Sequence, residues 1–151
     1  LGLMKIAEEA GMVKAMGNLM KPLLVKLFPE IPADHPAMGS IVANMAANFF
    51  GLGNAATPLG IKAMQELQLL NDNKDEASNS MVMFLAINTS SVTLISSSTI
   101  AYRVAAGSAN ATEIIAPTIV ATIMSTAVAI ISCKFLEKLP KYKREKIEIK
   151  K

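Results

Sequence analysis

Three long stretches without a charged side chain most constrain what this chain can fold into. They cover residues 37–61, 77–102 and 114–133. Each is as long as, or longer than, the roughly 20 apolar residues that a helix needs to cross a bilayer. Since the mean hydropathy is also positive, at +0.39, we expect an all-α protein of multi-pass membrane helices. The alternative is a soluble bundle of unusually uncharged helices.

The first stretch contains a helix breaker, residues 51–60, with the sequence Gly-Leu-Gly-Asn-Ala-Ala-Thr-Pro-Leu-Gly. Glycine permits left-handed backbone, Thr57 is a good N-cap, and Pro58 suits the first position of a helix. The pattern predicts one helix that ends near Phe50 and another that starts near Pro58. Residues 37–70 should therefore form a broken helical hairpin, whose freed backbone groups need protein or solvent partners inside a bilayer.

The first 36 residues are predicted to form an amphipathic interfacial helix and a proline-rich turn. In the turn His35 directly precedes Pro36, so we expect His35 to cap the helix that follows. The apolar stripe of the interfacial helix recurs at steps of three and four residues and consists of Ile6, Ala10, Val13, Met16, Met20, Leu23 and Leu27.

The rest of the chain is predicted as two membrane helices, 77–102 and 114–136, and a basic cytoplasmic tail, 137–151. We expect a single domain over 1–151. Because the sequence starts at Leu1 rather than Met, we also expect a further segment upstream.

The distribution of Lys and Arg predicts the orientation in a bacterial inner membrane. From Lys134 to Lys151 there are eight Lys/Arg and three Glu, which is typical of the cytoplasmic side. If the broken hairpin is re-entrant, 14 of the 15 Lys/Arg lie inside and only Arg103 lies outside. If it spans the bilayer, ten lie inside and five outside. The positive-inside rule favours the re-entrant hairpin.

Asparagine and hydroxyl side chains within the uncharged stretches are the candidate binding groups. Such groups either bond to a neighbouring helix or line a polar cavity. Threonines 118, 122 and 126 likewise share one helix face, which favours close helix packing. The candidate ligand-binding residues are Asn44, Asn48, Asn54, Thr57, Asn88 and Ser91.

Composition argues against an enzyme. The uncharged stretches contain no acid, base or histidine, so we expect no catalytic residue and no proton relay inside the bilayer. Cys133 is the only cysteine, which excludes an internal disulfide and a multi-cysteine zinc site. We expect no metal ion and no cofactor. The basic tail could contact nucleic acid, but directly after an apolar helix it indicates a membrane surface instead.

Several blocks of the sequence resemble the spore maturation protein A family of nucleoside-recognition, or gate, domain proteins. They are residues 28–32, 35–39, 44–48, 51–60, 62–67 and 88–91. The resemblance implies a multi-pass inner-membrane protein that contains a hairpin-like broken helix. It also implies action with a spore maturation protein B-like partner in spore core dehydration.

The chain departs from the family pattern at two places. The family leads us to expect a further hydrophobic segment before Leu1. It also leads us to expect a proline after Leu94 and Ile95, where this chain has Ser96. Whether a second helix break occurs there is left open.

Two functions fit these observations. In the first, the chain is a transporter-like or gating component whose half-helix N-terminus, at Thr57 and Pro58, presents backbone N–H groups to a small polar or anionic solute. In the second, it is a structural scaffold of a membrane complex, and a homo-oligomer fits either function. Asn54→Leu should separate them, because a scaffold would lose assembly and a transporter would lose flux.

The re-entrant topology predicts that a cysteine introduced by Lys14→Cys reacts only from the cytoplasmic side. Accessibility labelling of intact cells with a membrane-impermeant thiol reagent measures this. Labelling from outside would contradict the re-entrant hairpin.

Overall fold

The computed structural model describes residues 11–140, except for the side chains of residues 12–14, 16, 17 and 21. This part of the chain is all-helical, as expected, and contains no strand. The helices are α1 (Met12–Leu27), α2 (Pro36–Phe49), α3 (Gly53–Leu69), α4 (Asn79–Ser90), α5 (Ser97–Ala105) and α6 (Ile115–Leu136), with a short 3₁₀ turn at Ala111–Ile114.

The start of α2 confirms the predicted cap. His35 is the N-cap residue, and its Nδ1 accepts a hydrogen bond of 3.2 Å from the backbone N–H of Ala37. Pro36 occupies the first helical position, where its missing N–H costs no hydrogen bond.

The end of α2 is a Schellman turn built on Gly51. Gly51 has φ +67°, and its N–H donates to the carbonyl of Asn48 at 2.9 Å. The N–H of Leu52 donates to the carbonyl of Ala47 at 2.8 Å. This pair of bonds is the usual way to terminate a helix on a left-handed glycine. The predicted end near Phe50 is confirmed.

The predicted start of the next helix is wrong. Helix α3 begins at Gly53 rather than near Pro58, and Thr57 is not its cap. The Schellman turn reverses the chain so abruptly that a helical turn forms at once, with the N–H groups of Ala55 and Ala56 both donating to the carbonyl of Leu52. Pro58 lies in the second turn of α3, where it provides no N–H for the carbonyl of Asn54.

Helices α2 and α3 form an antiparallel hairpin with its tip at residues 50–52. Ala47 packs against Ala55 and Ala56 near the tip. At the opposite end, the start of α2 and the end of α3 share one core with α1 and α4. The large side chains fully buried there include Leu24, Phe28, Ile41, Leu67, Met83 and Phe84.

The C-terminal end of helix α6 bonds to the end of α1, next to the open end of this hairpin. Lys134 Nζ donates to the carbonyl of Leu27, the last residue of α1, at 3.3 Å, and pairs with Glu137 at 3.1 Å. Both ends of the hairpin therefore lie at the same end of the molecule as the C-terminal end of α6. We call this the Lys134 end.

The segment 77–102, expected as one membrane helix, contains a second interruption. Helix α4 ends at Ser90, residues 91–96 are not helical, and α5 begins at Ser97. The reason is tertiary. The N–H of Leu94 donates to the carbonyl of Phe49 at 3.0 Å, and Ser97 Oγ donates to the carbonyl of Gly51 at 2.8 Å. We call the contact between residues 49–52 and 91–97 the crossing.

One helix in the described part of the chain, Ala111–Leu136, is long and apolar enough to cross a membrane. None of its most apolar window is buried inside the protein. Its 22-residue α-helical part is about 33 Å long at about 1.5 Å per residue, close to the thickness of the hydrocarbon core. The other two uncharged stretches are divided by their interruptions into shorter helices.

The apolar stripe expected on the N-terminal helix is shifted in the structure. Leu24 and Leu27 are buried and Met20 packs on the core, whereas Leu23 is 52% exposed. Helix α1 continues through Pro22. The predicted positions Ile6 and Ala10, and the side chains of Val13 and Met16, lie outside the described residues.

Gly51→Ala should destabilise the fold by about 2 kcal/mol or more. The substitution adds a Cβ at positive φ, which costs about 1–2 kcal/mol by itself. That Cβ would also lie 1.8 Å from the carbonyl oxygen of Ile95. We expect the thermal midpoint in detergent to fall by roughly 4–8 °C.

The matched control is Gly39→Ala, inside α2, where an added Cβ meets nothing within 4 Å. Alanine there should leave the midpoint unchanged or raise stability by up to about 1 kcal/mol, through helix propensity. Equal midpoints for the two variants would show that the close approach at Gly51 is unimportant.

Candidate functional site

Three asparagines from two helices meet next to the crossing. Asn44 and Asn48 lie one turn apart on α2, and Asn88 lies near the end of α4. Asn48 Nδ2 donates to Asn88 Oδ1 at 2.8 Å and, more weakly, to Asn44 Oδ1 at 3.4 Å. We call these three residues the asparagine cluster. It connects the hairpin to α4 in a region that the sequence leaves without charge.

Asn44 ties the cluster to the third helix. It is completely buried, and its Nδ2 donates to the carbonyl of Ala56 on α3 at 2.8 Å. This bond joins the two arms of the hairpin. Asn44 Nδ2 and Oδ1 both bond to protein, so this residue joins neighbouring helices, which is one of the two arrangements expected of such residues.

Gly60 provides the space that the cluster needs. A Cβ added at Gly60 would lie 3.0 Å from Asn44 Nδ2 and 3.9 Å from Asn88 Nδ2. A side chain at residue 60 would therefore crowd Asn44 and come into contact with Asn88. The sequence block 51–60 drew attention to this glycine, but nothing in the sequence indicated which residues it faces.

Asn48 and Asn88 keep hydrogen-bonding capacity. Both are half-buried, and within the described residues neither Asn48 Oδ1 nor Asn88 Nδ2 has a hydrogen-bonding partner. Asn48 Oδ1 is an acceptor and Asn88 Nδ2 provides donors. The two side chains are bonded to each other, so this acceptor and these donors belong to neighbouring side chains. The arrangement suits a neutral group that carries an adjacent donor and acceptor.

The structure brings together three of the six predicted site residues. Asn54 is exposed in the first turn of α3, with its side chain outside the cluster. Thr57 is exposed as well, and its Oγ1 donates back to the carbonyl of Gly53 at 3.4 Å. Ser91 is the half-buried C-cap of α4. Thr57 was assigned from a helix start at Pro58, and the earlier start at Gly53 removes that reason. Asn54 was named for its amide in an uncharged stretch, and it lies outside the cluster.

Two threonines of α6 support the site without touching the cluster. Thr126 Oγ1 donates to the carbonyl of Ser90 at 2.9 Å, and Thr122 Oγ1 accepts from the N–H of Thr93 at 3.3 Å. These bonds satisfy backbone groups on either side of the end of α4, just after Asn88. The shared threonine face was visible in the sequence, but its backbone partners were not.

No charged residue occurs in α2 or α4. Across the described residues, no group of three His, Cys, Asp or Glu side chains could hold a metal ion. The three side chains of the cluster are uncharged, whereas α3, which approaches the cluster at Gly60, carries Lys62 and Glu66.

Comparison with known proteins agrees with the family resemblance found in the sequence. The profile of the Gate family, described as nucleoside recognition, matches residues 1–109. The chain is 53% identical over 146 residues to spore maturation protein A of Bacillus subtilis (strain 168), and this alignment covers 97% of the chain and 72% of the relative. No solved structure shows significant similarity to the chain.

Asn44→Leu should destabilise the protein by about 1–3 kcal/mol, because it removes a buried hydrogen bond between the arms of the hairpin. Thermal unfolding in detergent measures the loss. Asn54→Leu is the matched control, since the same change on an exposed side chain should stay within about 0.5 kcal/mol. If the two variants unfold alike, Asn44 does not hold the hairpin together.

Proposed function

This chain belongs to the nucleoside-recognition (Gate) family and is a membrane protein of the spore maturation protein A type; from that premise we propose that it is a transporter-like or gating component for a small polar solute. The observation that carries the proposal is the open acceptor and donor of Asn48 and Asn88 beside two helix interruptions. Interrupted helices that meet within a membrane protein are a common way to build a solute site.

The solute should be neutral or weakly anionic. Asn48 and Asn88 offer amide hydrogen bonds and no charge, which suits a polar uncharged group such as an amide or a nucleobase edge. A nucleoside-like solute also agrees with the description of the family. Helix α3 starts without a side-chain cap, so its first N–H groups near Gly53 add a positive dipole end. That dipole replaces the one expected at Thr57 and Pro58.

We propose a re-entrant topology for the hairpin. Both of its ends lie at the Lys134 end, and the basic tail follows α6 at that same end. If that tail is cytoplasmic, the hairpin enters and leaves the bilayer from the cytoplasmic side. Helix α1 then lies along the inner interface, since its last carbonyl bonds to Lys134. Its exposed Leu19 and Leu23 would contact lipid there.

The biological setting proposed is spore maturation. The relative from Bacillus subtilis is named a spore maturation protein, and we propose that this chain acts with a spore maturation protein B-like membrane partner in dehydrating the spore core. The role is non-enzymatic and needs no cofactor. Self-association into a homo-oligomer is compatible with it.

A structural scaffold is the second candidate, and a specific observation favours it. Asn44 is buried and bonded on both sides, and the bond between Asn48 and Asn88 also joins two helices. Polar bonds of this kind hold membrane helices together without any ligand. In this alternative the exposed apolar face of α6 contacts the other proteins of the complex.

Asn88→Leu separates the two functions. We expect it to weaken binding of radiolabelled uridine to the purified full chain by roughly fivefold or more, as one hydrogen bond is worth about 1 kcal/mol. Co-purification of the spore maturation protein B-like partner should not change. Asn54→Leu, outside the cluster, should alter neither measurement.

The scaffold predicts the opposite pattern. If Asn88→Leu abolishes co-purification, and the unchanged chain does not bind uridine, the cluster serves assembly. The test thus moves from Asn54, where the sequence placed it, to Asn88.

A further inference from the structure

We propose that the second interruption, residues 91–96, is a conformational switch, and that α4 and α5 can join into one continuous helix. The crossing would open in the joined state, next to the asparagine cluster. The proposal concerns the backbone of this segment, and its test does not depend on which solute is bound.

The two interruptions have different origins. The first is encoded locally, because Gly51 adopts φ +67° and completes a Schellman turn. The second contains no comparable residue. From 79 to 105 the sequence has neither proline nor glycine, and no non-glycine residue in the described chain has positive φ. Nothing in the covalent structure of 91–96 therefore prevents a helix.

Helix α6 and the hairpin stabilise the second interruption. Each of them bonds to one of the two groups that would bond to each other in a continuous helix. In a continuous helix the N–H of Leu94 would donate to the carbonyl of Ser90, four residues earlier. Here the Ser90 carbonyl accepts from Thr126 Oγ1 at 2.9 Å instead. The Leu94 N–H donates instead to the carbonyl of Phe49 at 3.0 Å. The Ser90 carbonyl and the Leu94 N–H therefore each have a partner outside their own helix.

Neighbouring groups repeat this exchange. The N–H of Thr93 would bond to the carbonyl of Thr89 in a helix, but donates to Thr122 Oγ1 at 3.3 Å. Ser97 Oγ donates to the carbonyl of Gly51 at 2.8 Å, which fastens the start of α5 to the tip of the hairpin. Three of the four contacts can be exchanged for ordinary helical bonds without leaving the segment unsatisfied.

Such an exchange makes the segment bistable. Inside a bilayer an unpaired backbone group is costly, so intermediate arrangements with neither set of partners are disfavoured. The two states are the interrupted one, bonded to α6 and the hairpin, and the continuous one, bonded to itself, in which the freed carbonyls of Phe49 and Gly51 require water or a ligand as partners. The uncharged stretch 77–102 is long enough for the continuous helix to span about 30 Å of hydrocarbon.

Joining α4 and α5 would change the site directly. It would release the carbonyls of Phe49 and Gly51 from Leu94 and Ser97, and so separate the tip of the hairpin from α5. Asn88 lies two residues before the end of α4 and would stay helical in both states. The movement would therefore uncover the cluster while leaving Asn88 in its helix.

Distances between spin labels test the switch. In the full chain with Cys133→Ser, labels are placed on two pairs of exposed positions, Val82 with Val104 and Leu85 with Tyr102. In a continuous helix, pairs 22 and 17 residues apart lie about 33 Å and about 26 Å apart at about 1.5 Å per residue. The continuous state requires that both label pairs show these distances in the same variant.

Thr122→Val with Thr126→Val removes both hydroxyls that hold the interruption and keeps the side-chain shape. We expect the continuous-helix distances to become the major population in this double variant. The matched control is Thr118→Val, one turn away on α6, whose side-chain hydroxyl has no bond to the interruption; it should leave the distances unchanged.

Ser96→Pro supplies the reference for the interrupted state. Ser96 has φ −77°, which proline can adopt, and a proline there would disfavour the continuous helix, because it removes the N–H that would bond to the carbonyl of Val92. Added to the valine pair, it should restore the distances of the interrupted state. The proposal is overturned if the valine pair gives the same distances as Ser96→Pro. It is also overturned if the valine pair gives a broad distribution that Ser96→Pro does not narrow, since that indicates unfolding.

Discussion

The crossing of two interrupted helices is the constraint on which the rest of this structure depends. Each interruption frees backbone groups that a bilayer cannot satisfy. The carbonyls of Phe49 and Gly51 accept from Leu94 and Ser97, so each interruption supplies partners for the other. The close approach requires glycine at position 51. These hydrogen bonds thereby hold the hairpin, α4 and α5 together.

The asparagine cluster follows from this arrangement. With the tip of the hairpin bonded to the segment after α4, the last turns of α2 and α4 lie side by side, and Asn48 reaches Asn88. Gly60 lets α3 close over the same point. The hydrogen bonds distinguish the members of the cluster: Asn44 bonds to protein through both Nδ2 and Oδ1, whereas Asn48 and Asn88 also join two helices but retain an acceptor and donors. A neutral site of this kind agrees with a family described by nucleoside recognition.

Features with a local cause could be predicted from the sequence. The cap by His35, the end of α2 near Phe50 and the all-helical fold of the described residues are confirmed. The start of α3 was placed too late, because Thr57 and Pro58 are good helix-start residues whose local signal was overruled by the turn at Gly51. That error carried Thr57 into the predicted site. Asn44, Asn48 and Asn88 were named as polar residues in uncharged stretches, but the hydrogen bonds that join them could not be derived from the sequence.

By itself, the sequence determined the uncharged stretches, the interruption at Gly51 and the family, since these depend on composition, on the φ that one glycine permits, and on residue identity. Only the tertiary structure decided that α4 and α5 are separate helices and which asparagines meet. Residues 91–96 carry no proline or glycine, so their conformation is set by the hydrogen bonds of Leu94 to Phe49 and of Thr93 to Thr122, and by the bond of the preceding Ser90 to Thr126. Partners so distant in sequence leave no local signal. The sequence around a backbone group is the same whether that group bonds to another helix or within its own helix.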